Sequence, residues 1–165
     1  MRILWAPWRM KYIREFSKLG RKGCIFCEAV SGKDEEHLVV YRSKYSIAML
    51  NLYPYNTAHV MVAPKRHVPR PNLLSDDELL DLYKLVNMVI EALDREYSPH
   101  GYNVGINLGR VAGAGVEAHL HVHIVPRWEG DTNFMPVVAN VKVIPEDIRE
   151  TFRRVRKALT SATHY

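Results

Sequence analysis

The chain contains the segment Glu117-Ala118-His119-Leu120-His121-Val122-His123-Ile124-Val125-Pro126-Arg127, in which three of its eight histidines stand at every second position. Because the side chains of a β-strand alternate between two faces, the segment predicts a strand with its histidines on one face and its aliphatic residues in a core. Imidazole near neutral pH can serve as a nucleophile, a proton carrier or a metal ligand. A single strand histidine is more often structural, but three on one face predict a reaction centre.

The composition is ordinary for a globular protein: 165 residues, of which 47% are hydrophobic and 25% charged. No apolar run approaches the roughly 20 residues that cross a bilayer, and residues 1–9 lack the apolar stretch of a secretory signal. We therefore expect one cytoplasmic domain with no membrane partner. The formal net charge of +5 favours polyanions such as nucleotides, without separating a free nucleotide from nucleic acid.

Apolar patterns and turn residues predict an α+β fold with one antiparallel sheet. The first three predicted strands form a meander, at 38–41, 46–50 and 58–62. Three further strands follow, at 102–108, in the histidine segment and at 137–143.

Two helices are expected to pack on the sheet. Ser75 and Glu78 form a capping-box pattern for a long helix that ends near Tyr97, and Pro145 suits the first position of a C-terminal helix that ends near Leu159. The long helix has an apolar face made of Leu79, Leu82, Val86, Val89, Ile90 and Leu93, and the C-terminal helix one made of Ile148, Phe152, Val155 and Leu159.

The glycine-rich segment 107–116 leads directly to the histidines. Glycines allow main-chain N–H groups to approach an anion closely, although a flexible hairpin explains the segment equally well on its own. Beside three imidazoles, anion binding is the better interpretation.

The Cys24-Ile25-Phe26-Cys27 segment is a second signal. A structural disulfide is not expected in a cytosolic chain, which leaves metal binding, redox chemistry or coincidence. Residues 18–23 do not resemble the strand that precedes a thioredoxin-like pair, and no nearby His-x₃₋₅-His completes a zinc finger.

The segment from His119 to Val125 resembles the His-φ-His-φ-His-φ-φ motif of the histidine triad (HIT) family, where φ is apolar. Asn51-Leu52-Tyr53-Pro54 and Ala58-His59-Val60 resemble the earlier strand pair of that family, so that the resemblance runs from Cys24 to Arg127. It implies a HIT-like fold within a single domain, 1–165, with extensions at 1–23 and 128–165.

HIT proteins are nucleotidyl transferases and hydrolases that cleave nucleotides at an α-phosphate. The resemblance implies that His121 is the nucleophile and that His123 and His59 contact the phosphate or the leaving group. It further implies that the backbone of Gly115 and Val116 binds the charged phosphate oxygens. Asn51 would contact the ribose, and Asn107 would contact the phosphates. For the two asparagines, a role as turn or strand-end residues stays open.

In zinc-containing members, two histidines complete the metal site, and the matching residues here are His67 and His119 beside Cys24 and Cys27. Structural zinc is therefore expected, with His37 as a rival ligand. A divalent cation such as magnesium could accompany the substrate.

Two further stretches, 4–10 and 126–136, resemble the bacterial diadenosine tetraphosphate phosphorylase branch of the family. Gly115 stands where the fragile-histidine-triad hydrolases have glutamine, an amide that would position water. The resemblance thus implies phosphorolysis of diadenosine tetraphosphate to ADP and ATP, with adenine nucleotides, dinucleoside polyphosphates and inorganic phosphate as partners. It also implies at least a homodimer, that is, a homodimer or a higher homo-oligomer.

Other interpretations remain open. The same chemistry could act on other substrates, as in a dinucleotide hydrolase or a nucleoside phosphoramidase. The chain could instead be a non-catalytic nucleotide-binding sensor. A protein that processes adenylated nucleic-acid ends has only the basic C-terminal helix in its favour, because no RNA-binding aromatic motif or finger array is present.

Overall fold

Five antiparallel strands form one sheet in the spatial order β1-β2-β3-β5-β4 within the part of the chain that this computed structural model describes, residues 23–133, 135–139 and 141–161. The strands are Val39–Arg42 (β1), Ser46–Leu50 (β2), Val60–Pro64 (β3), Gly101–Ile106 (β4) and Val122–Arg127 (β5). The first three form the predicted meander, and β5 lies between β3 and β4. Segment 4–10, on which part of the resemblance depends, lies outside the described residues.

Helices pack on both faces of this sheet. They are Ile25–Ser31 (α1), Asp34–His37 (α2), Asp76–Tyr97 (α3), Met135–Val138 (α4) and Ile148–Ser161 (α5), with short 3₁₀ turns at Pro71–Leu73 and Arg110–Ala112. No helix among the described residues has the length and apolarity needed to cross a membrane.

The two faces of the sheet have different neighbours. On one face, alternate residues of every central strand join α3 and α5 in the main core, including Leu120, Val122 and Ile124 of the histidine segment. On the other face, Phe26 and Ala29 of α1 pack on a smaller cluster with Ile47, Met49 and Met61. The predicted alternation is therefore confirmed, and the α+β fold with it.

The capping box predicted for α3 is present. The Glu78 N–H donates to the Ser75 hydroxyl, and the Ser75 N–H donates to the Glu78 carboxylate. The helix ends at Tyr97 as expected. Leu79 was expected on the buried face but is 37% exposed, because it lies in the first turn, ahead of Leu82 where the buried face begins.

The prediction of a strand at 137–143 is wrong. The Asn133 side chain accepts the Met135 N–H, and the Ala139 N–H bonds to the Met135 carbonyl, so the chain closes a helical turn as α4. Pro136 in the first turn favours this outcome. Residues 141–145 have no regular structure.

Other boundaries differ from the prediction by one to three residues. Helix α5 begins at Ile148 and not at Pro145, because the Asp147 carboxylate accepts the N–H groups of Arg149 and Glu150 and so caps the helix. Strand β3 starts at Val60, since Ala58 has a left-handed backbone with φ of 56°. Strand β4 occupies 101–106 where 102–108 was expected.

Candidate active site and metal centre

The three histidines lie on one side of the chain, but the regular ladder of β5 begins only at Val122. Ahead of it, the Leu120 N–H donates to the Val68 carbonyl at 2.6 Å. His119 and His121 are consequently held by a loop and are 1% and 4% exposed, while His123 sits in the strand and is half-buried.

One contact defines the state of the His121 ring. Its Nδ1 lies 2.9 Å from the His119 carbonyl oxygen, which can only accept, so Nδ1 carries the proton and Nε2 keeps a lone pair. Burial lowers the pKa of His121, which favours the neutral ring. The Phe26 ring packs 4.9 Å from it, between centroids.

His59 and His123 form a second ordered pair. The Tyr55 N–H donates to His59 Nδ1 at 3.2 Å, and this fixes the His59 proton on Nε2. His59 Nε2 then donates to His123 Nδ1 at 2.9 Å, which leaves the His123 proton on Nε2. Burial, with the neighbouring His123 and His121, lowers the pKa of His59 to about 3, so this ring stays neutral.

The hydrogen bonds that His59 and Asn51 make within the protein affect their predicted contacts with the substrate. His59 is 1% exposed and uses both ring nitrogens within the protein. Asn51 accepts the Tyr53 N–H at 2.9 Å, and its amide nitrogen lies 3.4 Å from His59 Nδ1. The geometry favours the turn role for Asn51, and its contact with a ribose stays a prediction.

Asn107 and the glycine-rich loop border the same site. Asn107 follows Ile106, which pairs with Val122 across the sheet, so it stands close to His121. The N–H groups of Ala112 and Ala114 turn inward to the Gly109 carbonyl. Within the described chain, the N–H groups of Gly115 and Val116 have no hydrogen-bond partner, and their binding of an anion stays a prediction.

Two cysteines and two histidines come together beside His121. The ligand atoms of Cys24, Cys27, His67 and His119 all lie within 4.8 Å of one another. Nδ1 of His119 is 3.3 Å from Cys24 Sγ and 3.2 Å from His67 Nδ1, and Cys27 Sγ is 3.2 Å from His67 Nδ1. A tetrahedral zinc site with these ligand types has edges of about 3.3–3.8 Å, so the four residues fit the ion.

The surroundings of the cluster also suit a metal. The Nε2–H of His119 donates to the Pro64 carbonyl at 2.8 Å, and this presents the Nδ1 lone pair to the centre of the cluster. Burial and the adjacent Cys24 raise the pKa of the Cys27 thiol, which a bound dication would lower. His37, the rival ligand, lies in α2 beside Gly32 and outside the group.

Comparison with known proteins gives the family. A family model described as the HIT domain matches residues 33–130. The chain belongs to the HIT family. An AP-4-A phosphorylase from Mycobacterium tuberculosis is 43% identical to this HIT protein over 156 residues, which cover 91% of this chain and 80% of the relative.

Two other relatives extend the comparison. An asymmetrical bis(5′-nucleosyl)-tetraphosphatase from Schizosaccharomyces pombe is 43% identical over 93 residues, which cover 56% of this HIT protein and 50% of the relative. A crystal structure of a hypothetical histidine triad nucleotide-binding protein from Sulfolobus tokodaii has a TM-score of 0.68 and 29% identity, over 85% of this chain and 94% of that one. The HIT fold expected from the sequence is thus confirmed.

Sequence reasoning missed several residues of the HIT site. Tyr55 sets the orientation of His59 through a main-chain N–H, and the Pro64 carbonyl orients His119. Tyr55 and Pro64 each make their contact through a main-chain group, so no pattern of residue types in the sequence reveals it. Phe26 packs against both His119 and His121, and its position inside the cysteine motif was the available signal.

Proposed function

We propose that this HIT protein is a nucleotidyl transferase that cleaves diadenosine polyphosphates, above all diadenosine tetraphosphate, at an α-phosphate. The observation that carries the proposal is the bond between His121 Nδ1 and the His119 carbonyl. It leaves the Nε2 lone pair as the nucleophile and fixes the plane of the ring. Because the ring is only 4% exposed, an α-phosphorus would approach it along one edge.

The reaction proceeds in two displacements. In the first, the His121 Nε2 lone pair forms a P–N bond with the α-phosphorus, and the P–O bond to the remaining polyphosphate breaks to release ATP. In the second, an oxygen of inorganic phosphate attacks the same phosphorus, the P–N bond breaks, and ADP leaves. The free N–H groups of Gly115 and Val116 would stabilise the negative charge that develops on the phosphoryl oxygens.

His123 would serve the leaving group in this scheme. Its proton is on Nε2, because Nδ1 accepts from His59. The ring lies next to His121, with centroids 4.8 Å apart and planes nearly perpendicular. The Nε2–H of His123 would therefore donate a hydrogen bond to the departing oxygen, and His59 would act through it by holding the ring in this tautomer.

Phosphorolysis is the preferred outcome because position 115 is glycine and offers no side-chain amide to orient water. The resemblance to the M. tuberculosis AP-4-A phosphorylase over most of the chain supports the same direction. Hydrolysis is the alternative outcome. It is supported by the 43% identity over 93 residues to the S. pombe tetraphosphatase.

Further parts of the proposal concern cofactors and assembly. Zinc would occupy the group of Cys24, Cys27, His67 and His119, where it holds the loop two residues ahead of the nucleophile. Magnesium would neutralise substrate phosphates. A homodimer and a cytoplasmic location stay as predicted from the sequence.

The test is an incubation with diadenosine tetraphosphate, with and without inorganic phosphate, followed by separation of the products. ADP and ATP formed only with phosphate support the phosphorylase, AMP and ATP in both samples indicate a hydrolase, and binding without turnover indicates a sensor. The His121→Ala variant should bind nucleotide and lose turnover, whereas His100→Ala, an exposed histidine, should keep it. Persistent turnover in His121→Ala would refute the nucleophile.

A further inference from the structure

The histidine face continues past His123 into a cavity of about 300 Å³. Tyr55 connects the two, because this residue lines the cavity and its ring packs 4.8 Å from the His59 ring and 6.0 Å from the His123 ring, between centroids. The cavity therefore begins where the row of histidines ends.

Strand register places the cavity on the same face as the histidines. Gly105 pairs with His123, and Asn103 pairs with Val125, so that these residues project to one side of the sheet. Asn103, Val125 and Arg127 line the cavity. Arg127 lies six residues beyond His121, which is about 20 Å along an extended strand, a distance that the Arg127 side chain and the polyphosphate would have to bridge together.

The charge of the walls indicates the kind of ligand. Arg127 and Lys142 both line the cavity, and no carboxylate of the described residues does. The Asp131 carboxylate pairs with Arg127 at 2.6 Å and lies 3.9 Å from Lys142, so it offsets one of the two positive charges, but its side chain is 7% exposed and does not line the cavity. The space is thus bordered by two cations and amide or hydroxyl groups, a set that suits an anion.

The Arg127 guanidinium is oriented in advance. Its Nε and Nη2 donate to Asp131 at 2.6 and 3.1 Å, and Nη1 donates to Asn103 at 2.8 Å. One N–H on each terminal nitrogen stays available for a ligand. Lys142 is held by the Asp131 carbonyl and by Thr132 Oγ1, so its charge is also fixed near the cavity.

We propose that this cavity is a phosphate subsite on the leaving-group side of His121, which binds the distal phosphates of a dinucleoside polyphosphate. The inference rests on the proposed function. In a double displacement the acceptor enters from the side that the leaving group has vacated, so inorganic phosphate would use the same cations in the second step. The subsite would make the protein select long polyphosphates over mononucleotides.

The experiment measures equilibrium binding, which does not depend on turnover. For Lys142→Gln, the Kd for diadenosine tetraphosphate should rise about tenfold, as expected for loss of one charged hydrogen bond, while the Kd for AMP stays unchanged. Tripolyphosphate should compete with diadenosine tetraphosphate on the wild type and compete less well on the variant. Lys142→Arg should restore most of the affinity.

Lys84→Gln is the matched control, because Lys84 is an exposed lysine on α3, the helix that packs on the opposite face of the sheet. It should leave every Kd unchanged, and thermal melting of each variant checks that it is folded. Equal losses of AMP and tetraphosphate affinity in Lys142→Gln, or no loss of either, would overturn the subsite. A wild type that binds tetraphosphate selectively without cleaving it would refute the proposed function and leave the subsite intact.

The same variant separates the two sources of phosphate. With diadenosine tetraphosphate held at saturation, a higher KM for inorganic phosphate in Lys142→Gln would show that the acceptor uses the subsite too. An unchanged KM for inorganic phosphate would overturn the statement that the acceptor uses the same cations. The binding comparison alone decides whether the cavity binds the distal phosphates.

Discussion

His59 and His121 carry the same ring, but their partners give them different capacities. His121 has one nitrogen bonded to a carbonyl and one with a lone pair, whereas both nitrogens of His59 are engaged by Tyr55 and His123. We therefore expect that His59, with both nitrogens engaged and 1% exposure, orients its neighbour, whereas its direct contact with the substrate stays a prediction.

This difference predicts a specific kinetic effect of replacing His59. His59→Leu removes the donor to His123 and should lower kcat about 100-fold, as loss of an aligned hydrogen-bond donor to a developing charge does, with little change in KM. His59→Gln can still donate through its amide and should retain more activity. Steady-state kinetics check this, and a raised KM with normal kcat would instead indicate direct contact with the phosphate.

The alternation of histidines was enough to predict which residues share a face. It was not enough to predict their tautomers, because these depend on the Tyr55 N–H and on the carbonyls of Pro64 and His119. Main-chain groups are present at every position and leave no mark in the sequence.

At the scale of elements, the first turn of α3 joins a helix cap to an ion pair. The Glu78 carboxylate accepts the Ser75 N–H at 2.8 Å. It also accepts Nε and Nη2 of Arg66, at 2.8 and 2.7 Å. The pair with Arg66, then the bond from Ser75, lowers the pKa of Glu78 to about 2, from an ordinary value of 4.5. The ionised carboxylate is therefore favoured by folding.

The stabilisation should be complete above about pH 4.5 and should disappear as the pH falls toward 2, because the unfolded chain takes up the proton first. Glu78→Gln should lower the free energy of unfolding by about 1 kcal/mol at neutral pH, since Arg66 is half-exposed and solvent weakens the pair. Urea unfolding at a series of pH values measures this. Glu91→Gln, on the exposed side of α3, should have no such effect.

Elements with local signals were predicted well, and those without were not. Ser75 and Glu78 mark the start of α3 in the sequence alone. Residues 137–143 look like a strand, but a strand needs a partner, and the Asn133 cap closes a helical turn there instead. Strand pairing is a long-range property that apolar content does not encode.

Across the whole molecule, the metal-binding group connects three distant parts of the chain. Cys24 and Cys27 lie at the start of α1, His67 follows β3, and His119 precedes β5. An ion here would restrict the unfolded chain and stabilise the folded one. We further propose that the described chain is one domain, because α5 packs into the same core as the sheet and α3.

Metal analysis should find about one zinc per chain in the wild type, since four ligands close one structural site. Cys24→Ser should lower that content and reduce the melting temperature by at least about 5 °C, in a single transition. His37→Ala is the control and should keep both values, because His37 lies outside the group. Loss of zinc in His37→Ala with retention in Cys24→Ser would contradict the assignment.

The two faces of the central sheet can be changed independently by a protein engineer. Aliphatic residues of β5 at even positions meet α3 and α5, while the odd positions lie on the face of the candidate site. Helix-side replacements that repack the core would change how long the protein survives heating without altering which nucleotides it selects. The opposite face could be redesigned for new substrates on a scaffold whose durability is set elsewhere.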